Sequence, residues 1–363
     1  MTTPLAPGAI IGIIGGGQLG RMLAAAAARL GYETVILDPQ PGCPAAQLAS
    51  RQIVGAYDDP AALAALADSV HVVTYEFENV PVAAARSLAE RLAVLPPPKA
   101  LEVAQDRLTE KTFVNDAGIS TARHFAVDSD ADLADALDAL GGSGVLKTRR
   151  LGYDGKGQRV LRNLAAKECQ GLVAAMGDVP LIVEELVDFS FEFSIIAARG
   201  ADGTAKAYDP ARNEHRDGIL RRSLVPAGIE PATLAGARAG AFALMEALGY
   251  VGVIGVEFFA LADGGFLVNE FAPRVHNSGH WTDAACAVSQ FEQHIRAVAG
   301  LPLGDPRRHS NAVMENLIGT EINDAAGIMR QPDAVLTLYG KAETRPGRKM
   351  GHVTRLAPLS AKG

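Results

Sequence analysis

Residues 253–261 and 266–271 are two apolar, β-prone runs joined through Asp263-Gly264. An Asp-Gly pair between such runs predicts a tight hairpin, because a two-residue type I′ turn needs φ > 0 at both central positions. With those two residues as the turn, Ala262 faces Gly265 and Glu257 pairs with Glu270. The carboxylates then leave one face of the ladder with Cβ atoms roughly 4.5–5.5 Å apart. At an effective dielectric near 20 they repel by about 3 kcal/mol. A hard divalent cation, shared with substrate phosphates as Mg²⁺ usually is, would offset that repulsion. Asn269 faces the opposite side of an ideal ladder and reaches the same site only through a twist or bulge. The plain alternative is a solvent-facing acidic pair at the end of a hairpin.

A chain of 363 residues should form two or three domains. Its net charge of −7 and lack of a basic stripe exclude a nucleic-acid footprint. Cys43, Cys169 and Cys286 show no metal-type spacing and suit free thiols in a reducing compartment. Residues 1–8 lack a basic n-region, and the apolar run 9–14 is too short for a signal core or membrane span. The expectation is a cytoplasmic protein without a membrane partner.

The chain opens as βαβαβ. Residues 10–14 read as a buried parallel strand, 22–28 as a helix stopping near Gly31, 34–38 and 70–75 as further strands, and 60–68 as a second helix. Gly15-x-Gly17-x-x-Gly20, with Asp38 eighteen residues on, fits a dinucleotide-binding fingerprint. The same glycines also serve any strand that turns tightly into a helix, so NAD binding and a purely structural turn stay open. Glu76, ending the third strand, sits where an open sheet places ligand contacts, or else as an acid before the helix that Pro81 begins.

Pro96-Pro97-Pro98 marks a boundary, and a helix opens at Asp106-Arg107 and ends near Gly118. Lys147, on the apolar strand 144–147, would be a costly buried charge unless a phosphate or carboxylate meets it. Gly152, Gly155 and Gly157 give the following loop freedom to close over a polyphosphate, which their N–H groups can line. Lys156 in that loop could equally be surface decoration. Residues 181–187 form another strand, and alternation of Phe189, Phe191 and Phe193 turns Glu192 to the opposite face. Near the C-terminus, Lys341, Arg345, Arg348, Lys349 and His352 gather beside Gly347 and Gly351, an arrangement suited to an anion or to a solvated basic turn.

Glu257, Asn269, Glu270 and Arg274 resemble the paired-strand magnesium site of the ATP-grasp superfamily. The unbroken run 272–281, APRVHNSGHW, is similar to the N5-carboxyaminoimidazole ribonucleotide synthetase family within it. That resemblance implies an α/β and α+β fold: an N-terminal open parallel, Rossmann-like domain (1–100), a central ATP-grasp domain (101–300) and a small C-terminal domain (301–363). It implies Mg²⁺ or Mn²⁺ on Glu257 and Glu270. ATP would lie against Arg107, Lys147, the loop Gly152, Tyr153, Asp154, Gly155, Lys156, Gly157 and Gln158, the adenine-clasping segment Glu184, Glu185, Leu186 and Val187, and Glu192, His215, Asn269 and Glu270. The adenine segment reads the base mainly through its backbone, so the Glu185 side chain has no assigned role. The resemblance puts the ribonucleotide against Gly17, Gln18, Leu19, Glu76, Asn277 and Ser278, with its 5′-phosphate on Lys341 and Arg348. Arg274, His276, Lys147, Tyr153 and Asp154 would act in catalysis, with His276 or His280 handling protons.

The reaction implied is ATP-dependent carboxylation of aminoimidazole ribonucleotide by bicarbonate through carboxyphosphate, in a homodimer. Trp281 reads as a core residue. Relatives usually carry a further helix after the Gly-His segment, where only eleven residues follow His352, so contacts made by that helix are expected to be missing. A formate-using glycinamide ribonucleotide transformylase and an NAD-dependent oxidoreductase are the rival enzymes, and a catalytically dead binding protein is the non-enzyme reading.

Overall fold

The computed structural model describes residues 3–152 and 157–359. Ile10–Ile14 (β1), Glu33–Asp38 (β2), Arg51–Val54 (β3) and Val72–Tyr75 (β4) form a parallel sheet in the order β3-β2-β1-β4. Side chains of β1 alternate between two cores, as the strand period requires. Ile11 and Ile13 pack with the Gln18–Arg29 helix, while Ile14 joins Leu63, Leu66 and Leu88 on the other face. β3 was not expected from sequence: four residues, half of them polar, are too few to show a period. The Pro-rich boundary is partly helical, because Pro98 starts the Pro98–Ala104 helix at a position where its missing N–H is not needed.

His124–Val127 (β5), Gly144–Thr148 (β6), Gln158–Leu161 (β7) and Leu181–Glu185 (β8) make a small antiparallel sheet ordered β5-β8-β6-β7. The larger sheet comprises Phe191–Arg199 (β9), Ala205–Ala207 (β10), Ala211–Arg216 (β11), Ile219–Val225 (β12), Gly252–Ala260 (β13), Phe266–Ala272 (β14), Asn311–Ile318 (β15), Ala334–Leu338 (β16) and Lys349–Ala357 (β17). Its order is β14-β13-β9-β11-β12-β15-β17-β16, with β10 on β9. The strands of the 301–363 region therefore extend the central sheet, β15 pairing with β12. One buried core runs from Leu23 through Ile196, Trp281 and Phe291 to Met314 and Tyr339.

Glu257 does pair with Glu270, but by a different route from the predicted one. Leu261 N–H donates to Gly265 O at 2.9 Å and Gly264 N–H to Leu261 O at 3.2 Å. Of the turn residues only Gly264 has positive φ, +85°. This is a three-residue loop, a turn followed by a left-handed glycine, and not type I′. Ala260 thus faces Phe266 and Phe258 faces Val268. A bulge at Asn269 then restores the Glu257–Glu270 pair, and it is the irregularity Asn269 needs in order to share a site with Glu270.

Candidate active site

A cavity of about 540 Å³ lies where the parallel sheet and the two antiparallel sheets meet. Its wall includes Gln18, Leu19 and Glu76 from the N-terminal unit, Arg107, Lys147, Gly152 and Gln158 from the middle, and Glu192, His215, Glu257, Asn269, Glu270, Arg274, His276 and Asn277 from the large sheet and the segment after it.

The glycine turn is occupied by the protein itself. Glu76 is buried, one oxygen accepting the Gly17 N–H and the other the Gly20 N–H at 2.6 Å. Burial raises its pKa, against which the two amide bonds pull. Asp38 Oδ2 accepts the Gly16 N–H at 2.7 Å and the Tyr57 hydroxyl at 2.7 Å. The amides that would cradle a pyrophosphate, and the acid that would read a ribose, are thus engaged internally, which removes the basis for the NAD reading.

Lys147 finds the carboxylate its burial demands. Its Nζ is 2.9 Å from Glu184 Oε2, and Lys111 Nζ is 3.1 Å from the same oxygen. Burial opposes the Glu184 charge, but the two ammonium groups win and hold the acid at about 2. Glu184 therefore spends one oxygen on lysines, while Glu185 continues β8 opposite Gly144, and Leu186 and Val187 follow half-buried. Asp106 caps the Arg107–Asp116 helix, accepting from the Leu108 and Thr109 amides at 3.1 and 3.2 Å. That cap presents Arg107, whose guanidinium donates to Thr148 O and Gly152 O, both at 2.9 Å, at the root of the glycine loop. Gly157 closes the other end with φ +71°; a Cβ there would stand 2.8 Å from Thr148 Oγ1. Tyr153, Asp154, Gly155 and Lys156 lie outside the described residues.

Glu257 is pushed up to about 7 by burial and by the Glu270 charge across the ladder. Beside it, His215 Nδ1 lies 2.8 Å from Glu192 Oε2, and one ligand atom each from Glu192, His215 and Glu257 fall within 4.8 Å of one another. Burial works against protonating His215, yet the Glu192 bond and nearby carboxylates raise its pKa. The Glu257 and Glu270 carboxylates, with Asn269 brought beside them by the bulge, are oxygen donors of the kind that suits a hard cation.

Arg274 pairs with Glu78, in the segment that the family resemblance sets beside the ribonucleotide. Burial opposes the Glu78 charge, but Arg274 holds it at about 2. Gln290, fully buried, accepts the His276 N–H at 2.9 Å and donates to His276 O at 2.7 Å, fixing that backbone like a strand neighbour. Burial, then Arg274 and Lys349, drive His276 down to about 3, so its ring is neutral.

Several expectations need correction. Ser278 is fully buried and its hydroxyl is spent on Ser194 Oγ (2.6 Å) and His276 Nδ1 (2.9 Å), so its side chain is not offered to a substrate. Asn277 does line the cavity, held by reciprocal amide bonds of 3.0 and 2.7 Å to Asn316. His280 is fully buried against Gln290 and His352, away from the cavity wall, and does not manage substrate protons. His352 is also buried, bonded to Tyr339 at 2.9 Å, and leaves the basic cluster. Lys341 donates to Lys349 O at 2.7 Å, and burial with Arg348 nearby lowers it to about 8. Neither Lys341 nor Arg348 lines the cavity; Lys349 does. Trp281 is fully buried in the core.

Sequence reasoning missed Glu110, Lys111 and Gln290. Arg107, Glu110 and Lys111 follow the i, i+3, i+4 spacing of one helix face, the signal that could have found two of them. Three cysteines are free and buried, and no helix among the described residues is long and apolar enough to cross a membrane.

Two antiparallel sheets closing on a polar, lysine- and carboxylate-lined cleft define an ATP-grasp protein. Models of three domains match in chain order: the ribonucleotide synthetase preATP-grasp domain at 9–105, the ATP-grasp domain at 112–291 and the phosphoribosylaminoimidazole carboxylase C-terminal domain at 312–362. An N5-carboxyaminoimidazole ribonucleotide synthase of Brucella melitensis is 62% identical over 98% of this chain and 98% of its own length. The solved ADP complex of an N5-carboxyaminoimidazole ribonucleotide synthetase superimposes with TM-score 0.94 at 42% identity, over 98% and 94% of the two chains. An Aspergillus clavatus synthase in complex with ADP and 5-aminoimidazole ribonucleotide does so with TM-score 0.90 at 31% identity, over 97% and 94%. The chain belongs to the N5-carboxyaminoimidazole ribonucleotide synthase family.

Proposed function

We propose that this protein transfers the γ-phosphate of ATP to bicarbonate and passes the carboxyl group to the exocyclic amine of 5-aminoimidazole ribonucleotide, releasing ADP and phosphate. One observation carries this reading: a single cavity joins the Arg107–Lys147 end to the Gln18–Glu76 end, with Arg274 and His276 also on its wall. Nucleotide and acceptor can meet there without an intermediate crossing solvent.

The chain's own groups do the positioning that phosphoryl transfer requires. Lys147 and Arg107 face the phosphates, and Glu192 and His215 the ribose. Arg274, kept charged and oriented by Glu78, neutralises bicarbonate and then carboxyphosphate. Neutral His276 orients Glu257 through Nε2. The 5′-phosphate is assigned to Lys341 and Arg348, which lie beyond the cavity wall that Lys349 of the same segment lines. Glu257, Glu270 and Asn269 would hold Mg²⁺ or Mn²⁺; burial and the Glu270 charge disfavour the Glu257 carboxylate, a cost that a cation would offset. Bound there, the metal supplies charge neutralisation along the phosphates. We assign the protein to the cytoplasm, as a homodimer.

Phosphate release from MgATP and bicarbonate, measured with and without the ribonucleotide, tests the proposal. Release should depend on aminoimidazole ribonucleotide and vanish in Glu270→Ala. Release with glycinamide ribonucleotide and formate instead would overturn the substrate while keeping the ATP-grasp class.

A further inference from the structure

The Arg107–Asp116 helix carries two buried charged residues that the reaction above leaves without a role. Lys111 is 2% exposed and Glu110 4%. Lys111 Nζ donates to Asn269 O at 3.0 Å, on the large sheet, and lies 3.1 Å from Glu184 Oε2, on the small one. That carboxylate oxygen is also the partner of Lys147, at 2.9 Å. Glu110 Oε1 accepts the Phe271 N–H at 2.6 Å. The helix thus grips β14 on both sides of Glu270, at the carbonyl of residue 269 and the amide of residue 271.

β14 is the last strand of the large sheet, so these backbone groups have no strand neighbour. An edge can be satisfied by water or neutral side chains. Burying an ammonium instead costs several kcal/mol before its partners offset it. The contacts made in return link one metal-facing bulge to one phosphate-facing lysine across the cleft. Burial and the charge of Glu270 push Glu110 up to about 8, so at neutral pH it adds little negative charge beside the carboxylate pair.

We infer that Lys111, assisted by Glu110, is a positioning residue that sets the spacing between the two sheets of the nucleotide cleft. It holds the Asn269–Glu270 bulge on one side and, through Glu184, Lys147 on the other. The inference rests on the proposed ATP site, not on the identity of the acceptor.

Lys111→Met keeps an unbranched side chain and removes the ammonium; Glu110→Gln keeps the acceptor and Glu110→Leu removes it. Each variant is checked by thermal melting and assayed well below its midpoint. MgADP affinity is measured by calorimetry with no acceptor present, and KM for ATP and for the ribonucleotide separately. The expected result is a tenfold or greater loss of MgADP affinity and rise in KM for ATP in Lys111→Met and Glu110→Leu. KM for the ribonucleotide should stay within twofold, and Glu110→Gln should stay near the parent. Unchanged MgADP affinity in folded Lys111→Met overturns the inference, as do equal shifts in both KM values or equal damage from Gln and Leu at 110. If Lys111→Met does not fold, the Glu110 pair decides. A parent protein that binds MgADP but does not carboxylate the ribonucleotide would sink the substrate assignment and leave this comparison intact.

Discussion

His276 Nε2 lies 3.3 Å from Glu257 Oε1, so the imidazole addresses the carboxylate pair rather than a substrate proton. Ser194 Oγ donates to Ser278 Oγ, which leaves the Ser278 proton for His276 Nδ1 and the imidazole proton on Nε2. The neutral ring then turns its N–H edge toward Glu257.

Metal affinity should follow the Glu257 proton. With its pKa raised to about 7, Glu257 is protonated below neutrality and must lose that proton to bind a cation. Titration calorimetry with Mn²⁺ should show affinity falling by about tenfold per pH unit below 7. Glu257→Gln should be weak and flat. Equal affinity at pH 6 and pH 8 in the parent would contradict the assignment.

Acid should destabilise the fold through its buried histidines. Burial lowers His294 and His352 to about 3 from 6.5, so the unfolded chain binds more protons between those values. Their contribution is present above pH 6.5 and is lost as pH falls toward 3, at up to about 1.4 kcal/mol per pH unit for each proton. His294 accepts the Val253 N–H at 3.1 Å and bonds Thr74 at 2.8 Å. Denaturant melts of His294→Gln should show a shallower loss between pH 6 and 4; an unaltered slope would show that this histidine does not report there.

Glu78→Leu should leave Arg274 charged but poorly aimed. Losing a hydrogen bond to a charged group costs about 1.5–3 kcal/mol, or roughly 10–100-fold. We expect kcat/KM for bicarbonate to fall in that range, with MgADP affinity retained. A loss confined to nucleotide binding would place Arg274 on ATP instead.

Gly17→Ala tests the internal cap of the glycine turn. The new Cβ would stand 2.6 Å from Glu76 Oε1, a carboxylate already held by two amides. Overpacking of this kind costs about 1–3 kcal/mol. Thermal melting should register that loss, and KM for the ribonucleotide should rise without change in MgADP affinity. A KM that stayed put would separate this turn from the acceptor.

What could be read from sequence was what local physics dictates. The two strands that carry Glu257 and Glu270 follow from two apolar runs, though their pairing depends on a bulge at Asn269 that the runs do not announce. The need of Lys147 for an anion follows from its apolar neighbours. Residues whose meaning depends on distant partners were not legible. Lys111 meets a carbonyl 158 positions away; its spacing from Arg107 puts it on the same helix face but does not say what it meets there. His280, Ser278 and His352 look like site residues in a polar, glycine-bearing run, yet the fold turns them into the core. The turn type escaped because Asp-Gly suits a glycine-closed three-residue loop as well as a two-residue one.

The order of strands in the large sheet also bears on how the chain is made. β12 cannot acquire its far neighbour until β15 exists, and β15 in turn pairs with β17, which ends at Ala357. During synthesis, therefore, the nucleotide cleft cannot finish as an autonomous unit while the last strands are still to be translated. The strands of the parallel sheet all lie before Glu76. Yet Ile11 and Ile13 on one of its faces share a core with Trp281, Met314 and Tyr339, so that face too is completed only by late residues.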